Sequence, residues 1–200
     1  MKAGIEMQVA RQVSEEEFYS EEYEGSPYEY LDGELVVCEP VSTLHDDIGG
    51  FLYSVMRSVF EERGDGLVKG PELPMRLDPK WSPEPDVMVV RAENVHRIGA
   101  QRIEGPADLV IEVASPGDIR RALRLKLPRY RQARIPEIWV VDASTRSVRV
   151  ETPESPETAV RVLTAGRLDS AVFPGFWIDV SWLWQQPLPH TLACVRQILG

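Results

Sequence analysis

The chain has 200 residues, of which 43% are hydrophobic and 27% charged, and carries a formal net charge of −10. These proportions exclude a disordered chain, and the acidic balance excludes indiscriminate nucleic-acid binding. The N-terminal "MKAGIEMQVARQ" has no apolar signal-peptide core, and the chain has no apolar run of the roughly 18 residues that a membrane span needs. A cytoplasmic protein is therefore expected, and the isolated Cys38 and Cys194 fit a reducing compartment.

Ser14, with Glu17 three residues later, forms a capping-box pattern that predicts a short helix over 14–22. In "YEYLDGELVVCEP", two apolar arms flank Asp32-Gly33, which predicts a hairpin. Leu44, Ile48, Phe51, Leu52, Val55, Met56 and Val59 recur at helical spacing, with Gly64 as the stop and Gly49-Gly50 as a local weakness. "GLVKG" and "LPMRL" read as short strands. "WSPEPDVMVV" reads as a proline-made turn feeding a strand from Asp86 to Arg91, and "ADLVIEVAS" as the next strand.

A helix follows, with Asp118 as N-cap and Pro136 beyond its end, and Pro128 inside it should kink it or remove a hydrogen bond. "EIWVVD" and "SVRVE" predict a second hairpin. Short strands near 159–163 and 171–180 and a closing helix over 187–199 complete the chain. No repeat or linker stands out. The expected fold is one α/β (α+β) domain over 1–200, with a central mixed sheet flanked by helices.

Alternation along 108–114 puts Asp108, Val110, Glu112 and Ala114 on one face, opposite Leu109, Ile111 and Val113. A carboxylate in so apolar a strand needs a cation, a hydrogen-bond network or solvent. Mg²⁺ or Mn²⁺ meets that need, since both prefer carboxylate oxygens. Asp86, on a neighbouring strand, is the second candidate ligand, and Lys126, one helix later, could face the same point. A metal, two acids and an amine suit phosphodiester hydrolysis. A structural Glu112–Lys126 ion pair, with Asp86 capping a turn, suits the same residues. Charge is also uneven: residues 12–56 hold no Lys or Arg, whereas 120–134 hold Arg120, Arg121, Arg124, Lys126, Arg129, Arg131 and Arg134 and no acid. Such a stretch is either a solvated helix face or a contact for a phosphate backbone.

The ordered set "YEYLDGELV", "PEPDVMVV", "ADLVIEVASP", Lys126-Leu-Pro-Arg-Tyr130, "IPEIWVVD" and "FPGFWIDV" resembles the Uma-two (Uma2) family of restriction-endonuclease-like proteins. That family lies within the PD-(D/E)XK nuclease-like superfamily, and the similarity spans about residues 14–184, leaving a helical tail over 187–199. The resemblance implies a restriction-endonuclease-like core with Asp86 and Glu112 as metal-binding carboxylates and Mg²⁺ or Mn²⁺ as cofactor. It implies DNA as substrate. The superfamily's usual lysine position, two residues after the glutamate, is Ala114 here, and the family pattern supplies the lysine from the next helix, as Lys126 with Tyr130 one turn on. Glu29 matches an early acidic residue, and His45 and Ser115 fall at family-typical accessory places. Arg120, Arg121 and Arg124 are the expected nucleic-acid contacts. Ala122, Pro128 and Arg134 depart from the pattern, which keeps an inactive nuclease-fold module that binds nucleic acid or protein as the alternative. The aromatic tail "FWIDVSWLWQ" either closes the core, as expected above all for Trp177, or forms a homodimer contact.

Overall fold

The computed structural model describes residues 9–20, 28–37, 42–114, 122–153 and 160–200. Strand β1 (Val9–Gln12) leads into α1 (Glu15–Phe18), whose capping box forms: Glu17 N–H donates to Ser14 Oγ at 3.1 Å and Ser14 N–H to Glu17 Oε2 at 2.8 Å. The helix ends at Tyr19, short of the expected 22, as Ser20 turns its hydroxyl back to the Glu17 carbonyl. Strands β2 (Tyr28–Leu31) and β3 (Glu34–Val37) form the expected hairpin. Asp32 and Gly33 both take left-handed backbone, with φ of 58° and 82°, the geometry a tight turn between twisted strands requires. With β6 (Trp81–Ser82), these strands make a four-stranded sheet in the order β1-β3-β2-β6.

Helix α2 (Thr43–Arg63) is capped by Ser42 and stops at Gly64, whose φ is 68°. Beyond it lie β4 (Gly66–Lys69), β5 (Met75–Arg76), β7 (Val87–Arg91), β8 (Ile103–Glu104) and β9 (Leu109–Ala114). Strands β10 (Glu137–Asp142), β11 (Ser147–Glu151) and β12 (Val160–Leu163) complete a six-stranded sheet in the order β12-β11-β10-β9-β7-β4. Its only parallel pair is β9–β10, so the sheet is mixed.

The alternation expected along β9 is present. Leu109, Ile111 and Val113 pack with Leu52, Val55 and Met56 of α2, whereas Val110 and Ala114 pack with Leu127 and Tyr130 on the other face. The residues expected as strand over 171–180 divide differently. β13 (Arg167–Asp169) and β14 (Trp177–Asp179) form a two-stranded hairpin, and Asp179 then caps a turn of 3₁₀-helix over Val180–Trp184. Trp182 is the more deeply buried indole, whereas Trp177 is only half-buried, with the Arg167 guanidinium 4.5 Å from its ring centre. The closing helix is the chain's last element, Thr191–Leu199.

Pro128 shapes the segment that carries Lys126. Residues Ala122–Lys126 form a widened π-turn, and a regular helix, α3 (Leu127–Gln132), begins only there. A proline at 128 cannot donate to the carbonyl four residues back, and its ring crowds that carbonyl, so the wider turn relieves the clash. Asp118, the expected N-cap, lies outside the described residues.

Helix α3 closes through Arg134, which holds φ at 57°. A Cβ in left-handed backbone costs about 1 kcal/mol relative to glycine, so Arg134→Gly should raise stability by about 1 kcal/mol in urea unfolding. An unchanged midpoint would mean that Arg134 makes contacts that offset the strain.

Candidate active site

Asp86 immediately precedes β7, which runs antiparallel to β9 with Val87 opposite Ile111. One step further along that register sets Asp86 across from Glu112, where opposed side chains lie about 5 Å apart. Both oxygens of Asp86 are oriented. Oδ1 lies 2.9 Å from His45 Nε2, and Oδ2 accepts the Val113 N–H at 2.6 Å. His45 reaches it from the first turn of α2, whose N-cap Ser42 fixes that turn.

Glu112 is 6% exposed and faces α3. Tyr130 donates its hydroxyl to Glu112 Oε1 at 2.6 Å, and Lys126 Nζ lies 3.1 and 3.0 Å from the two carboxylate oxygens. The same ammonium sits 2.5 Å from Glu29 Oε1, so Lys126 bridges an acid of each sheet. Glu29 is held in turn by the Glu84 N–H at 3.1 Å. Burial raises the Glu112 carboxyl above its ordinary value, Lys126 opposes that rise, and Asp86 and Glu29 reinforce it.

Glu84 is the member of this cluster that the sequence reading missed. Its carboxyl is pushed up to about 8, first by burial and then by the neighbouring Glu29 charge, so it keeps its proton at neutral pH. The available signal was the paired acids of "PEPD", of which only Asp86 continues into an apolar strand. Of the expected site residues, Glu29, His45, Asp86, Glu112, Lys126 and Tyr130 thus form one connected group.

The chain matches the Uma2 family, described as "Putative restriction endonuclease", over residues 15–181. It belongs to the Uma2 family. Among solved structures, a similar chain is a "putative nuclease belonging to DUF820" from Anabaena variabilis. It is 18% identical with a TM-score of 0.70, and the match covers 86% of this chain and 97% of that one. The two share the fold. No curated protein matches the chain in sequence.

Within this Uma2 chain the place two residues after Glu112 is filled by Ala114, buried against Leu127 and Tyr130, and Lys126 reaches Glu112 from the helical side. The arginines of 120–134 divide. Arg120, Arg121 and the accessory Ser115 lie outside the described residues. Arg131 pairs with Glu151 at 2.6 Å, Arg129 lies 3.5 Å from Asp32, and Arg124 is exposed. Among the described residues no helix is long and apolar enough to cross a membrane.

The donor set suits Mg²⁺ or Mn²⁺. Asp86, just before β7, and Glu112, on the adjacent β9, offer carboxylate oxygens, and Glu29 and Glu112 already accommodate a cationic group between them. Among the described residues no three His, Cys, Asp or Glu side chains converge as a ready cage. A pair of carboxylates with water in the remaining positions is the arrangement Mg²⁺ prefers.

Proposed function

We propose that the chain is an endonuclease that hydrolyses phosphodiester bonds of DNA, with Asp86 and Glu112 holding Mg²⁺ or Mn²⁺. The observation that carries this is the buried cluster of Glu112, Glu29 and Lys126, with Asp86 one step beyond the β7–β9 register, across from Glu112. Membership of a family described as "Putative restriction endonuclease" supports it.

The bound ion would supply charge neutralisation at the phosphate and a more acidic water. The chain's own groups do the rest. His45 and the Val113 N–H keep the Asp86 carboxylate from rotating, so its free lone pairs stay fixed in direction. Tyr130 does the same for Glu112. Lys126 brings an ammonium to the reacting phosphate, where it orients the attacking water or stabilises the charge that develops. Glu29 holds that ammonium in place and offers a further carboxylate beside the ion or the water. Arg124, exposed on the same helical segment, would meet the backbone, together with Arg120 and Arg121.

Purified protein incubated with Mn²⁺ or Mg²⁺ on single- and double-stranded DNA tests this. Asp86→Asn and Glu112→Gln should each lower cutting at least about 100-fold, as expected when a charged group at the reacting phosphate is lost. Cutting that survives both would sink the assignment. The alternative, an inactive module that keeps the fold and binds nucleic acid or protein, is favoured by one observation: Glu29, Glu112 and Lys126 are each under 10% exposed and are already paired with one another. Absence of cutting by the unaltered protein, with DNA binding intact, would select the module.

A further inference from the structure

Arg129 lies one helical step beyond Lys126, on the same side of α3 as the candidate site. Its guanidinium carbon sits 4.7 Å from the ring centre of Trp81, which projects from β6 of the four-stranded sheet. Two nitrogens of that guanidinium have acceptors at long range. Nη1 donates to Gln132 Oε1 at 3.4 Å, and Nη2 lies 3.5 Å from Asp32 Oδ1. Yet the Arg129 side chain remains 35% exposed. With one face on Trp81, the opposite face is the remaining flat surface this part-exposed side chain has for a ligand. A phosphate needs the edge of a guanidinium, whereas a planar ring needs its face.

Trp81 carries a second sign that its ring, not its polar atom, defines its place. It is only 4% exposed, and its indole N–H is buried with no acceptor among the described residues. The ring packs in a small core cluster with Leu31 and Val36, and Arg129 lies over its face.

We infer that the Arg129–Trp81 pair is a stacking shelf for an unpaired nucleobase, one nucleotide away from the phosphate held near Lys126 and Glu112. This rests on the nuclease reading and narrows its substrate to single-stranded DNA or a duplex with a displaced base. A base inside an intact duplex has no free face to offer, whereas unpaired bases stack on aromatic rings and arginine planes regardless of sequence. The shelf lies on α3, directly after the π-turn that carries the amine, so base and phosphate would be gripped by adjoining turns.

The test is equilibrium binding of a labelled single-stranded oligonucleotide, and of the same backbone with its bases removed, to the full-length protein with Ca²⁺ in place of Mg²⁺. The unaltered protein should bind the base-bearing strand about 10-fold more tightly than the abasic one, a typical stacking contribution. Arg129→Ala should abolish that preference, and so should Arg129→Lys, which keeps the charge and loses the plane. A base preference that survives both substitutions would overturn the shelf. Equal binding of both strands by the unaltered protein would overturn it too, while leaving the nuclease assignment intact. Binding of neither strand would remove the shelf together with the nucleic-acid substrate.

Discussion

Glu137→Ala should destabilise the protein by about 3–5 kcal/mol in urea unfolding, the scale of losing a fully buried network member. Glu137 opens β10 with no measurable exposure, yet its partners are neutral. Oε1 accepts the Trp139 indole N–H at 2.9 Å. Oε2 accepts the Ser170 hydroxyl at 2.6 Å and the N–H groups of Ala171 and Val172 at 3.1 and 3.2 Å. The carboxylate therefore ties the 170–173 turn to the start of a central strand. That turn delivers Phe173 and Phe176 onto Phe60 of α2, with ring centres 4.6 and 5.1 Å apart. Alanine would leave the buried Trp139 and Val172 donors without acceptors and open a void beside them. Glu137→Gln keeps one acceptor oxygen but turns an amide donor toward donors, so it should cost less, about 1–2 kcal/mol. A loss under about 1 kcal/mol for alanine would mean that water replaces the carboxylate.

Two buried glutamates in apolar strands thus solve the same problem in opposite ways, and only one solution was legible. Glu112 attracted notice because its strand alternates cleanly and because Asp86 and Lys126 were within plausible reach. Glu137 sits in "IPEIWVVD" with equal burial, but its acceptor role depends on a turn more than 30 positions later, which local pattern cannot supply. The same division holds elsewhere. Asp32-Gly33 and Gly64 declared their turns because the backbone they need is written in residue type. Pro128 announced a disturbance, but whether it breaks, kinks or widens the helix depends on what α3 packs against. The π-turn that resolves it leaves Lys126 and Tyr130 both facing Glu112. Glu84 was invisible for a third reason. Its raised carboxyl comes from burial and from Glu29, which lies 55 residues away in sequence.

Lys126→Met should weaken the protein by about 3–5 kcal/mol at neutral pH, because removing one partner of a buried ion pair strands the other. Here it strands two: Glu29, 3% exposed, and Glu112, 6% exposed, would face each other with no cation between them. The loss should depend on pH in a direction the burial fixes. Unfolded, Glu112 releases its proton near its ordinary value of 4.5, whereas folded it already holds that proton to higher pH, and Lys126 is the main influence opposing that. Without the lysine the folded variant binds still more protons than the unfolded chain above pH 4.5, so its stability falls further as pH rises. The gap from the unaltered protein should be smallest near pH 4.5 and widest above neutrality. Mn²⁺ then separates the roles of the cluster. If these carboxylates take a divalent ion, Mn²⁺ should raise the melting temperature of Lys126→Met more than that of the unaltered protein, since the ion no longer competes with an ammonium. No shift in either protein would mean that Glu29 and Glu112 hold the lysine and take no divalent ion, whereas an equal shift would place the ion where it does not compete with the ammonium.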